Sequence, residues 1–387
     1  MWNAFAIVTA VFVMSVFWTF SPALAISIEE FYGPYRQWSD EEHAGENEPG
    51  LLKSIEKYSA EIKSAGAMGE RSSEASLLVE MSNSQKRLGQ HAEATESLEK
   101  AAVIYREIKD QASETTTLKA IADIYANVGP LERALDFLEK SLLIQKKSGE
   151  EAVQIATLTQ LARVYELLGQ YQRSLDFYQT GYDLAKKIND QRTSASLMNA
   201  MGRCRMAMGD PDEALKLLEK AFKIQANIDD RLGSSRTVRN LVSVRMSWGQ
   251  YTSAIELCDR EIAKRKTGAD TAGLHHLLVA RSLVFKELGD YDEALASANR
   301  ALELCRSGKP SFEFIEIMSV IAELNMLQGS TDLALAACDS GLNATRRIYD
   351  RTTESNVLIL KGRVLSSAGL FAEALKVLDD AAKIKKD

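Results

Sequence analysis

Every fortieth residue from position 89 to position 369 is a glycine: Gly89, Gly129, Gly169, Gly209, Gly249, Gly289, Gly329 and Gly369. A spacing held over that distance is an internal repeat, and it excludes a fold built once around a single core. Five residues after each glycine stands Ala94, Ala134, Ser174, Ala214, Ala254, Ala294, Ala334 or Ala374. Seven residues before each stands Ser82, Ala122, Ala162, Gly202, Val242, Ser282, Ala322 or Gly362. Apart from Val242 both positions hold only small side chains, which marks where two helices approach closely.

Apolar residues recur three and four apart on both sides of the glycine, which is helical period. In the third unit Leu158, Leu161 and Tyr165 form one stripe and Leu175, Tyr178 and Tyr182 another. Each unit therefore reads as two helices joined by a tight turn, with glycine as a left-handed C-terminal cap. A second marker follows twenty-one residues after the glycines, at Asp110, Glu150, Asp190, Asp230, Asp270 and Asp350, with Pro310 the exception. These carboxylates complement the next helix N-terminus, and a nearby Ser or Thr is expected to cap it.

These residues carry a resemblance. Leu158-x2-Leu161-Ala162-x2-Tyr165, then Ser174-x3-Tyr178, resembles the tetratricopeptide-repeat pattern, and Ala134-x3-Leu138 and Ala214-x3-Leu218 match it similarly. The unit is forty residues where the usual repeat has about 34, and in that respect it is similar to the longer repeats of kinesin light chains. The resemblance covers residues 71–387. It implies an all-α fold, a right-handed superhelical solenoid of stacked antiparallel helix pairs with eight repeats. Residues 50–70 read as an N-terminal capping half repeat, because Ser54 and Tyr58 fall forty residues before Ala94 and Leu98.

The first twenty-five residues differ in kind. "AFAIVTAVFVMSVFWTF", residues 4–20, is uncharged and apolar, and Ala23-Leu24-Ala25 offers a cleavage site. The segment reads as a signal peptide, with a retained membrane anchor as the alternative. Either reading makes the repeats exported: periplasmic, lumenal or secreted. Residues 26–49 break the periodicity and hold acids with Tyr32, Tyr35 and Trp38, a linker expected to cover the first helix, with docking of a partner as the alternative. At the other end Phe371, Leu375, Val377, Leu378 and Ile384 give the last helix an apolar side, so homo-oligomerisation through it is the alternative to partner binding.

Catalytic motifs are missing, and no enzymatic activity, cofactor or metal is expected: the chain has four histidines, and adjacent His275 and His276 point about 100° apart on a helix. Cys258 and Cys338 stand where other units have Leu98, Leu138, Leu218 and Leu378, so buried free thiols are expected. A formal charge of -7 without a dense basic run argues against nucleic acid.

The family resemblance implies that the first helix of each unit lines the concave groove. The groove-facing positions then lie thirteen, ten, six and three residues before each glycine; the first three collect Lys119, Arg163, Asn199, Arg203, Arg236 and Arg239 in units two to five, with Asn240 beside them, against Asp123 as the one acid. Asn199 and Arg203, four apart, share a face. Arginine forks hold carboxylates and asparagine pairs with peptide backbone, so the expected partner is an acidic protein segment. From unit six the same register turns apolar or acidic, with Val279, Leu283, Met326 and Ile359.

Overall fold

The computed structural model describes residues 48–265, 271–305, 311–348 and 351–386. The expected signal peptide or anchor over residues 1–25, almost all of the linker, and Asp270, Pro310 and Asp350 lie outside the described residues. Among those described, every regular element is a helix, and none is long and apolar enough to cross a membrane.

Packing divides the chain into two units. One contains α1 (Glu48–Met68), α2 (Arg71–Arg87), α3 (His91–Glu107), α4 (Gln111–Val128), α5 (Leu131–Ser148), α6 (Glu151–Leu167) and α7 (Tyr171–Lys187). The other contains α8 (Gln191–Ala207), α9 (Pro211–Asn227), α10 (Arg231–Ser247), α11 (Tyr251–Ala263), α12 (Leu274–Glu287) and α13 (Tyr291–Cys305, up to residue 304). The rest, α14 (Phe312–Leu327), α15 (Thr331–Ile348), α16 (Arg351–Ser367) and α17 (Phe371–Lys386), belongs to the first unit. Within each unit the first helix of a repeat packs along the second, as α4 does on α5 and α8 on α9. First helices also touch each other, α8 on α10 and α10 on α12.

The small residues stand at the crossing of each pair. Ala94, Ala134, Ser174, Ala214, Ala254, Ala294 and Ala334 have no exposed surface, and Ala122, Ala162, Ser282 and Ala322 face them with at most 1% exposed. At Ser282 the approach is close enough for Oγ to donate to the Ala294 carbonyl at 2.8 Å. A continuous core then fills the space between pairs: in α3 to α6 it includes Leu98, Ile121, Leu138, Leu158 and Leu161. Burying each such side chain contributes about 2 kcal/mol. Of the third-unit stripes Leu158, Leu161, Tyr165, Leu175 and Tyr178 are buried, and Tyr182 is half-buried.

All eight glycines of the comb have positive φ, from 68° to 78°. In the turn at Gly169 the Gln170 amide donates back to the Tyr165 carbonyl at 2.8 Å, and Gly209, Gly249, Gly289, Gly329 and Gly369 close the same way. This six-residue closure needs a left-handed residue. The turn between repeats uses it too, at Lys109 (φ 62°), Gly149 (75°), Asn189 (59°) and Asp229 (52°). The second marker caps helices, but differently from expectation: Asp110 accepts the Ser113 amide and Asp230 the Gly233 amide, both at 3.1 Å. The aspartate is itself the N-cap in these two, and the residue three places on, Ser113 or Gly233, supplies only its backbone amide.

Residues 48 and 49 belong to α1, which packs on α2 as a half repeat would. On α17, Phe371 is 69% and Leu375 48% exposed, whereas Val377, Leu378 and Ile384 are half-buried.

Candidate functional site

The first helices carry the polar residues collected from the register, and each unit places its own. In the unit of α8 to α13, Asn199 and Arg203 lie one turn apart on α8, and Arg236, Arg239 and Asn240 share a face of α10. The two helices are tied at this level: Asn240 Nδ2 donates to Asn199 Oδ1 at 2.9 Å. Arg239 and Asn240 are each 8% exposed, while Asn199, Arg203 and Arg236 are half-buried. The accessible members of the set are therefore Asn199, Arg203 and Arg236, and the other two lie beneath them.

In the unit of α1 to α7, Lys119 on α4 is half-buried, and Arg163 on α6 is 6% exposed. Asp123 accepts from Gln160 Nε2 at 3.1 Å, linking α4 to α6 as the asparagine pair links α8 to α10. Glu166 accepts from the Tyr178 hydroxyl at 3.3 Å. Lys86 on α2, three residues before its glycine, joins this face although the register reading passed over it; its position in that register was the available signal. Its side chain meets water, yet protein mass crowds it, and desolvation lowers the ammonium pKa below the ordinary lysine value. Lys119 is shifted in the same direction for the same reason, and in both the Asp123 carboxylate opposes the shift. Two ammonium groups here share the field of one carboxylate.

One expectation fails on α12: Val279, expected to line the groove, has no exposed surface, and His276 one turn before it is 2% exposed. Direct packing of α12 on α10 closes that face. The His275 and His276 ring centroids lie 4.0 Å apart with planes tilted by 46°. Among the described residues no group of three or more His, Cys, Asp or Glu is placed to hold a metal ion.

The tetratricopeptide-repeat family models match residues 113–187, 193–263 and 275–307. Residues 64–127 match the model of anaphase-promoting complex subunit 5. No curated protein matches the chain. Among solved structures it is similar to the apo form of RapI, with 13% identity and a TM-score of 0.52 over 78% of this chain and 88% of that one. A putative kinesin light chain of Podosopora anserina with nearly identical TPR-like repeats is 22% identical, with a TM-score of 0.41 over 50% of this chain and 96% of its own. The apo form of the quorum sensor NprR from B. thuringiensis is 14% identical, with a TM-score of 0.48 over 86% of this chain and 96% of its own. Together with helix pairs closed on a glycine every forty residues, the family matches identify the chain as a tetratricopeptide-repeat protein.

Proposed function

We propose that this chain is a non-catalytic interaction module whose α8 and α10 hold an acidic segment of a partner protein. Repeat stacks offer extended binding surfaces, and the observation that supports an acidic ligand is the charge of these two helices. They carry Arg192, Arg203, Arg205, Arg231, Arg236, Arg239 and Arg245 with no Asp or Glu, in a chain where acids outnumber bases by 54 to 47. Arg192 pairs with Asp230 and Arg205 with Asp210, both at 3.8 Å, Arg231 with Asp229 at 3.0 Å, and Arg245 with the Ser253 carbonyl at 3.0 Å, and Arg203 and Arg239 are engaged within the chain as well. Arg236 has no carboxylate partner among the described residues. With Arg203 it offers planar donor forks to carboxylates, and Asn199 offers an amide to the peptide backbone. On its own unit half-buried Lys119 offers a cation, while Arg163 is as covered as Arg239. The export reading of residues 1–25 makes the partner an extracytoplasmic one.

The test is affinity capture from native extract with the wild-type chain and with an Arg203→Glu, Arg236→Glu variant, at two salt concentrations. A partner captured by the wild type, weakened by salt and lost with the variant while the variant's helix content is unchanged is expected. Capture indifferent to both changes refutes the reading. A second reading, self-association through α17, rests on the exposure of Phe371 and Leu375. It predicts a mass in analytical ultracentrifugation that rises with concentration and falls back in Phe371→Ser; one monomer mass throughout eliminates it.

A further inference from the structure

Between α1, α2 and α3 runs an open groove of about 630 Å³, on a different part of the chain from the α8 and α10 face. Its floor is apolar, with Ile62, Met81 and Val103, and its lining also includes Lys63, Arg71 and Lys100 alongside Glu74, Glu96 and Glu99. Val103 is 49% exposed. The corresponding residue in the next repeat is Leu143, 59% exposed, but further along the chain the position becomes Asp183, Lys223, Ala263, Glu303, Asn343 and Lys383. A large exposed apolar side chain at this position thus occurs only in the first two full repeats, while the half repeat has Lys63 there.

We propose that this groove is the docking place of the chain's own segment 26–47, with Tyr32, Tyr35 and Trp38 filling the apolar floor. The segment leads directly into α1, the wall of the groove. Trp38 precedes Glu48 by ten residues, a reach of about 33–36 Å, and Ile62 lies fourteen residues along α1, about 21 Å. The connection therefore spans the distance with slack. The charges of the lining balance, Lys63, Arg71 and Lys100 against Glu74, Glu96 and Glu99, so the fit rests on the apolar floor and the reach, with Lys63 as the contact for an acid. The segment holds Glu29, Glu30, Asp40, Glu41, Glu42 and Glu46 against Arg36 alone. On the rim Arg71 is paired with Glu74 at 2.7 Å and Lys100 with Glu96 at 2.6 Å, which leaves Lys63 without a carboxylate partner among the described residues. Removal of residues 1–25 would leave the segment in place.

The test uses the full chain with Trp38→benzoylphenylalanine, photolysed as a mixture of isotope-labelled and unlabelled copies, and the cross-links mapped by mass spectrometry. Cross-links within one copy to residues 59–63 or 99–104 are expected. Val103→Glu, at an exposed site that the fold tolerates, should reduce their yield at least tenfold and speed tryptic cleavage after Arg36 by a similar factor. Cross-links between copies, to another protein or to other helices overturn the proposal, as does cleavage after Arg36 at equal rates in both chains.

Discussion

Cys258 and Cys338 occupy a position where other repeats place leucine, and the substitution changes what the thiols can do. Their exposures are 0% and 1%. Burial, seconded by the adjacent Asp259 and Asp339 carboxylates, pushes both pKa values from an ordinary 9.0 up to about 12. The folded chain thus keeps protons that the unfolded chain releases above pH 9.0, so the thiols' contribution to stability is complete below that pH and is lost as pH climbs toward 12. Thiolate is the reactive form, and access is closed as well. At pH 8 iodoacetamide should therefore label half-buried Cys305 first, with Cys258 and Cys338 following only at the rate of unfolding, and all four at once in guanidinium. Labelling of Cys258 in the folded chain as fast as Cys305, read by peptide mass mapping, contradicts this account.

At the scale of the helix and its turn, the legible part of the sequence was whatever has a residue type of its own. Glycine marks one turn per repeat because a positive φ of 68° to 78° is needed there eight times over. The other turn has the same backbone requirement, yet Lys109, Gly149, Asn189 and Asp229 meet it with four different residues, so no comb appears. Only the tolerance of Asn, Asp and Gly for the left-handed region pointed there, and Lys109 lacks even that. Capping was legible as to place but not as to atom: the position of Asp110 and Asp230 implied a cap, while the donor's identity depended on which amide lies within 3.1 Å. The candidate face divides similarly. Register brought Asn199, Arg203, Arg236, Arg239 and Asn240 to one side of α8 and α10, but it could not foresee that Arg239 and Asn240 would be 8% exposed. Nor could it foresee that Val279 would be sealed, because that depends on how closely first helices pack on each other.

For the whole molecule, the consequence of a repeat is that a defect stays near its origin. Each helix pair touches mainly its neighbours, so stability is close to a sum of local terms and interfaces between adjacent repeats. Gly202 offers a sharp perturbation: a Cβ there would come within 2.8 Å of Leu218 Cγ, and Leu218, with no exposed surface, has no room to swing away. Gly202→Ala should therefore cost about 1–3 kcal/mol through overpacking, although alanine fills the same register at Ala122 and Ala162 without difficulty. Native-state hydrogen exchange is the measurement that locates this cost. Amides in α8 and α9 should exchange faster, those in α10 by a smaller factor, and those in α2 to α5 at their original rates. An equal acceleration in every helix would mean that the chain unfolds as one cooperative body, and the additive description of the repeats would have to be abandoned.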